Sequence, residues 1–100
     1  MTQGDNDGAV ITRPRTSPPR VRKLPPWQVI LHNDDVNEVH YVVRTIVELT
    51  PLLRADATLR MIEAHRTGAA LLLETHREHA ELLEEQFASK RLTVTIEPAR

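Results

Sequence analysis

The chain has 100 residues, of which 40% are hydrophobic but only 3% aromatic, and its formal net charge is −1. A chain of this length forms one small domain, whose core must here be mainly aliphatic. Because cysteine is absent, disulfides, thiolate metal sites and thiol nucleophiles are excluded. No apolar run approaches the roughly 18 residues that span a bilayer, and the first residues lack a signal-peptide pattern. A cytoplasmic protein that contacts no membrane is therefore expected.

Charge is distributed unevenly along the chain. Residues 1–25 contain five basic and two acidic residues, a net charge of +3, whereas residues 26–100 have a net charge of −4. The first segment also contains four prolines and few residues that could pack. This composition predicts a disordered, basic, proline-rich arm at residues 1–24 and a folded domain at residues 25–100. The negative charge of the folded part would repel phosphate, which argues against nucleic-acid binding.

The first half of the folded domain has the pattern of one strand followed by two helices. β-Branched and apolar residues predict a strand over Trp27–His32. Apolar residues at helical spacing predict a helix over residues 38–49, with Asn37 as its N-cap and a proline closing it. A second helix is expected over residues 55–65, with Gly68 just past its end in the left-handed conformation.

The second half has the pattern of a strand, a helix and a strand. Consecutive leucines predict a buried strand over residues 69–74, and alternating polarity predicts a half-buried strand over residues 92–96. Between them, Thr75 and Glu78 have the spacing of a capping box that opens a third helix. The order strand–helix–helix–strand–helix–strand predicts an α+β fold, a two-layer sandwich with a three-stranded antiparallel sheet and helices on one face.

The most informative segment lies where the first strand ends. Asn33, Asp34 and Asp35 follow the apolar run directly and precede the first helix. These residue types favour turns, so one interpretation is a solvated turn. The other is a polar rim at a strand end, in which an amide and two carboxylates would suit a cationic or N–H-rich ligand. Because Asp34 is expected in a loop, its replacement by alanine is expected to leave the fold intact.

The other polar residues form no recognisable catalytic or metal-binding motif. His65 is expected at the end of the second helix, where the helix dipole favours it; packing of that helix over the first strand would instead bring it near the polar rim. His76 and His79 could share a helix face, but no HExxH spacing accompanies them, and neither serine lies in a nucleophile motif. No enzymatic activity, metal or cofactor is therefore predicted, although a small hydrolase or metal protein built on Asp34, Asp35 and His65 is an alternative.

Three motifs resemble those of the ClpS adaptor proteins, which deliver N-degron substrates to Clp-type AAA+ unfoldases. They are PWQVILHNDD at residues 26–35, ATLRMIEAHRTGAA at residues 57–70 and EHAE at residues 78–81, and the resemblance as a whole covers residues 25–97. The C-terminal domain of the ribosomal stalk protein is similar in fold but would not explain the polar rim or His65. A generic protein-interaction domain of that fold, without recognition of an N-terminal amine, is the alternative function.

The resemblance implies a binding module, without catalytic activity or cofactor, that holds the first residue of a substrate. Asn33, Asp34 and His65 would bind the free α-amino group. The entrance and the pocket for a large hydrophobic side chain would be formed by Asp35, Asn37, Val39, Val42, Ala64 and Leu92. The implied partners are the N-terminal peptide of a substrate and an unfoldase of the ClpA or ClpC type, contacted through Glu78 and Glu81.

Three positions depart from the pattern of the family that the chain resembles. Val39 stands where the family often has methionine at the pocket mouth, and Ala64 stands where valine is usual. Both changes remove side-chain volume, so bulky aromatic residues are expected to fit more easily and β-branched residues to be excluded less well. Leu83 stands where the family often has a lysine near the unfoldase contact.

Overall fold

Six regular elements form in the computed structural model, which describes residues 24–99. They are, in chain order, β1 (Trp27–His32), α1 (Val39–Leu49), α2 (Arg54–Thr67), β2 (Ala69–Thr75), α3 (Arg77–Ser89) and β3 (Val94–Pro98). The predicted α+β fold with a three-stranded antiparallel sheet is confirmed. The predicted arm at residues 1–24 lies, except for its last residue, outside the described residues.

β1 is the central strand of the sheet, whose order is β2-β1-β3. Both neighbouring strands run antiparallel to it, and the register with β2 shifts between Val29 and Ile30. Because β1 is hydrogen-bonded along both edges, the loop that follows it starts from a fixed position at the end of the sheet.

The three helices lie on one side of the sheet, and two of them contact the strands directly. α2 and α3 pack on the strands, and α1 packs against both of these helices. Val29 and Leu31 of β1 are buried beneath them, whereas the alternate residue Ile30 is partly exposed. Apart from Phe87, the buried hydrophobic residues are all aliphatic, as the composition predicts.

Trp27 is the only tryptophan of the chain and stands at the beginning of β1. It is partly buried and packs against the edge of the core. The guanidinium carbon of Arg77 lies 5.1 Å from the centre of the tryptophan ring, within the distance of a cation–π contact. Trp27 therefore occupies the end of β1 that is farthest from the loop after this strand.

The capping box predicted for the third helix is wrong. The N-cap of α3 is His76, whose ring nitrogen Nδ1 accepts a hydrogen bond from the N–H of His79 at 3.3 Å. Thr75 stays in β2, paired with Trp27 across the sheet, and a 2.9 Å hydrogen bond joins its hydroxyl to the His79 ring. Pairing in the sheet thus moves the helix start by one residue, and Glu78 has no threonine cap to complete.

Other element ends follow the prediction closely. Gly68 ends α2 in the left-handed conformation with φ 100°, and its N–H donates to the carbonyl of Ala64 at 2.8 Å. The prediction that the leucine strand is buried holds for only one of its faces. Alternate residues of β2 face away from the helices, so that Leu72 is 3% exposed and Leu71 is 37% exposed. The last strand begins at Val94, two residues later than predicted.

Candidate functional site

The loop between β1 and α1 is attached to two other parts of the chain where it begins. The N–H of His32 donates to the carbonyl of Thr93, beside β3, at 3.0 Å. The N–H of Asn33 donates to the carbonyl of Gly68, just before β2, also at 3.0 Å. The side chain of Asn33 therefore leaves the sheet from a position that is set on both sides.

Asp34 organises this loop. Its Oδ1 accepts hydrogen bonds from the N–H groups of Val36 and Asn37, both at 2.8 Å, and its Oδ2 accepts one from Nδ2 of Asn37 at 2.7 Å. Burial by itself would raise the pKa of Asp34, but the side-chain and backbone hydrogen bonds outweigh it and hold this pKa below its ordinary value. Three of the carboxylate's roughly four lone-pair positions are thus occupied. Because alanine would remove these hydrogen bonds, we now expect Asp34→Ala to lower the free energy of unfolding, whereas the sequence alone suggested that the fold would be unaffected.

The prediction that Asn37 is the N-cap of α1 is wrong. Asn37 instead connects two loops. The N-cap is Glu38, whose side chain makes no capping hydrogen bond. Nδ2 of Asn37 donates both to Asp34 and to the carbonyl of Arg91, the latter at 2.9 Å. Arg91 lies in the turn between α3 and β3 and has φ 68°, a conformation uncommon for residues other than glycine. The side-chain amide of Asn37, which was predicted to cap the helix, instead connects the loop between β1 and α1 to this turn.

Asn33 and Asp35 form the exposed polar pair of the loop. Nδ2 of Asn33 donates to Oδ1 of Asp35 at 3.2 Å, and both residues are exposed. Among the hydrogen bonds within residues 24–99, none involves Oδ1 of Asn33 or Oδ2 of Asp35. These two oxygens are available to accept hydrogen bonds from a ligand that is rich in donors.

A cleft of about 280 Å³, measured with its open mouth, lies beside the loop. Its apolar lining consists of Leu31, Val39, Val42, Met61 and Ala64, and its polar lining consists of His32, Asn33, Asp34, Asn37 and His65. Within the apolar part, Ala64 is buried, whereas Val39 is 51% exposed. An apolar lining on which several polar groups converge is a composition found in ligand sites.

The cleft brings together seven of the nine residues predicted for substrate binding. The other two lie elsewhere: Asp35 lines an adjoining groove, and Leu92 is buried in the hydrophobic core at 3% exposure. Leu92 belongs to the same buried cluster as the cleft residues Val42 and Ala64, although it does not itself line the cleft. Glu78 and Glu81 are exposed on α3. Leu83 on the same helix is buried at 1% exposure, so it cannot contact a partner at the surface.

Three residues of the cleft were not predicted to belong to it: Leu31, His32 and Met61. A signal existed for Met61, because it lies three residues before Ala64 and therefore on the same face of α2. No local pattern distinguishes His32, which is the last residue of β1. Its Nε2 is hydrogen-bonded to the Thr95 hydroxyl at 2.7 Å.

The structure contains no metal-binding cluster within residues 24–99. In that segment no three side chains of histidine, aspartate or glutamate are grouped so that they could hold an ion. The rings of His76 and His79 are 5.8 Å apart, but both take part in the start of α3. In the same segment, no helix combines the length and the apolar character that crossing a membrane requires.

Comparisons of sequence with known proteins agree on one family. The family model described as "ATP-dependent Clp protease adaptor protein ClpS" matches residues 22–95. The ClpS adapter protein of Synechococcus sp. (strain CC9902) is 41% identical over 99 residues, which cover 97% of this chain and 92% of the relative. The ClpS of Prochlorococcus marinus (strain MIT 9515) is 35% identical over 98 residues, again 97% and 92%. The chloroplastic CLPS1 of Chlamydomonas reinhardtii is 38% identical over 86% of this chain and 54% of its own.

A solved structure shows the same fold. It is ClpS2 of Agrobacterium tumefaciens bound to L-phenylalaninamide, which superposes with a TM-score of 0.69 at 25% sequence identity. The match covers 74% of this chain and 96% of that chain.

Proposed function

This chain belongs to the ClpS family of Clp protease adaptor proteins, and we propose that it binds the free N-terminal residue of an N-degron substrate and delivers it to a Clp-type unfoldase. It is an adaptor and not an enzyme. The observation that carries the proposal is the cleft beside the loop after β1, in which an apolar lining meets Asn33, Asp34 and His65. The cytoplasmic location remains a prediction, since two of the relatives are chloroplastic proteins.

The α-amino group is proposed to bind where the cleft meets the exposed pair Asn33 and Asp35. A protonated amine has three donors and needs three acceptors. The available oxygens of Asn33 and Asp35 supply two, and a ring nitrogen of His65, which also lines the cleft, supplies the third. Asp34 contributes its charge and one remaining lone pair, while its other lone pairs order the loop. Charge-assisted hydrogen bonds of this kind contribute about 1.5–3 kcal/mol each.

The apolar lining of the cleft is proposed to receive the first side chain of the substrate. Burial contributes roughly 25 cal/mol per Å² of apolar surface, which favours large hydrophobic residues such as leucine or phenylalanine. The ligand of the Agrobacterium relative, L-phenylalaninamide, has the same parts as such an N-terminus: a free amine, an apolar side chain and an amide in place of the next peptide bond. With valine at position 39 and alanine at position 64, this cleft is proposed to accept aromatic side chains readily.

Delivery is proposed to use surfaces outside the cleft. Glu78 and Glu81 lie in the first turns of α3, where both are exposed and where Glu81 is paired with Arg77 at 3.0 Å. We propose these two glutamates as a contact for an unfoldase of the ClpA or ClpC type, together with the segment 1–24. Degradation of one N-degron reporter by each unfoldase in turn, with this chain added, identifies which type is served.

The direct test of the proposed function compares a labelled peptide beginning with leucine and its N-acetylated twin. Acetylation removes the positive charge and two of the three donors but keeps the side chain. Amine recognition predicts a loss of at least about tenfold in affinity, the equivalent of one charged hydrogen bond of about 1.4 kcal/mol or more. A generic interaction domain of the same fold would bind both peptides equally, and that outcome contradicts the proposal.

A further inference from the structure

A second and more open groove adjoins the cleft. It has a volume of about 760 Å³ with its mouth included. It shares three lining residues with the cleft, namely Asn33, Asp34 and Asn37. The rest of its lining is formed by Asp35, Val36, Arg91 and Thr93. Because the two depressions meet at the proposed amine site, a chain whose first residue occupies the cleft has the groove as a continuous path outward.

Among residues 24–99, Arg91 is the one cationic residue that lines this groove. Its backbone is held in place, because its carbonyl accepts from Nδ2 of Asn37 at 2.9 Å and the preceding carbonyl, of Lys90, accepts from the Tyr41 hydroxyl at 2.8 Å. Its side chain is exposed. Within residues 24–99, the guanidinium of Arg91 forms no ion pair, unlike those of Arg60 and Arg77. A fixed backbone thus presents an uncompensated positive charge to the groove.

We propose that this groove is a subsite for the second and third residues of a bound substrate, and that Arg91 makes it favour an acidic side chain at one of these positions. The inference rests on the proposed function, because the first residue must occupy the cleft for the chain to enter the groove. Arg91 acts here as a residue that determines specificity beyond the N-terminal residue.

The two carboxylates in the groove act against this preference, but at a different place. Asp34 directs its oxygens into the loop, and Asp35 is proposed to face the positively charged amine, which neutralises it. Arg91 lies in the turn between α3 and β3 and not in the loop that carries Asn33 and Asp35, so it is proposed to face residues farther along the substrate. Thr93 beside it adds a hydroxyl that can donate to a carboxylate.

The expected preference is modest because the pair is exposed to solvent. Exposed ion pairs change an equilibrium by about 1.5- to 5-fold. The preference should also decrease when the salt concentration is raised from about 50 mM to about 500 mM, because the Debye length then falls below the separation of exposed charges. A preference of this size, with this salt dependence, distinguishes a charge contact from a buried specificity pocket.

The experiment measures the anisotropy of labelled peptides that begin with leucine and carry glutamate or glutamine at the second or the third residue. The original chain should bind the glutamate peptide about 1.5- to 5-fold more tightly at one of the two positions. Arg91→Gln should remove the preference, Arg91→Lys should keep it and Arg91→Glu should reverse it. Arg44→Gln removes the same charge from an exposed position on α1 outside the groove, so it should leave the preference unchanged.

Two results overturn this inference alone. Equal affinity of the original chain for glutamate and glutamine at both positions shows that the groove does not select charge. A glutamate preference that persists in Arg91→Gln shows that another group is responsible. Failure of the proposed function looks different, because N-acetylated and free peptides would then bind alike, and that result overturns both proposals.

Discussion

Replacing Asp34 with alanine tests the division of roles between the two carboxylates of the loop. The change removes three hydrogen bonds of 2.7–2.8 Å. At about 0.5–1.5 kcal/mol net per bond, the loss would reach roughly 1.5–4.5 kcal/mol. Val36 is 93% exposed, so water can replace the bond to its N–H. The expected decrease in the free energy of unfolding is therefore about 1–3 kcal/mol, or roughly 4–8 °C in Tm for each kcal/mol.

Asp35→Ala is the matched control for this experiment. It removes the same group from the next residue, which is exposed and accepts one hydrogen bond, from Asn33 at 3.2 Å. The free energy of unfolding should change by less than about 0.5 kcal/mol, while affinity for a leucine-initiated peptide should fall at least about tenfold. Asp34→Ala should lower both quantities. Urea unfolding and peptide anisotropy measure them, and the reasoning is refuted if Asp34→Ala unfolds with unchanged free energy or if Asp35→Ala binds normally.

The stability contributed by Asp34 should also depend on pH in a defined direction. Its pKa is lowered in the folded chain because the hydrogen bonds outweigh burial, so the unfolded chain takes up this proton first as the pH falls. The stabilisation is present above the unfolded pKa of about 3.9 and is lost as the pH falls through the lower folded value. The difference in unfolding free energy between the original chain and Asp34→Ala should be constant near neutral pH and should shrink below about pH 4.

Three further predictions concern the cleft and delivery. Ala64→Val adds volume to a lining residue that is 2% exposed. It should weaken binding of tryptophan-initiated relative to leucine-initiated peptides by about tenfold, while N-acetylation should still reduce affinity as it does for the original chain. An unchanged ratio of the two affinities would show that Ala64 does not line the pocket. If His65 accepts a hydrogen bond from the amine, His65→Ala should weaken binding of a leucine-initiated peptide at least about tenfold, and unchanged affinity would remove His65 from the amine site. Deletion of residues 1–24 should leave peptide affinity unchanged but abolish degradation of an N-degron reporter by the unfoldase, and degradation at full rate would contradict a role of this segment in delivery.

The periodicity of apolar residues was sufficient to predict the order of the elements. Each helix and strand buries one face, and that is the property that a helical or alternating pattern records, although in β2 a run of leucines conceals the alternation. Gly68 was predictable for a related reason, since its left-handed conformation is a local requirement of a helix end. The cleft residues of α1 and α2 were predicted mainly through the resemblance to the ClpS family.

What the sequence could not predict depends on partners distant in the chain. Asn37 is a good N-cap by type, but its amide is used by Asp34 and by a carbonyl 54 residues away. Thr75 has the spacing of a capping box, yet it stays paired in the sheet with Trp27, which is 48 positions earlier. In the first case a tertiary hydrogen bond takes the side chain that local spacing assigns to an N-cap, and in the second a strand pairing holds the backbone of that residue in the sheet. Element types were therefore predictable, and these N-cap residues were not.

The place of Trp27 makes the chain convenient for spectroscopy. Trp27 and His32 are the first and last residues of β1, so the indole is separated from the loop after β1 by roughly 17 Å, at about 3.3 Å for each of the five steps between them. Because the guanidinium of Arg77 lies over its ring, unfolding must change the surroundings of the indole, whereas a peptide in the cleft does not reach it. Emission excited selectively from this single tryptophan should therefore follow the global transition without responding to the ligand. Tryptophan emission can then report the stability of the fold while the anisotropy of a labelled peptide reports occupancy of the cleft, provided that the peptide itself contains no tryptophan.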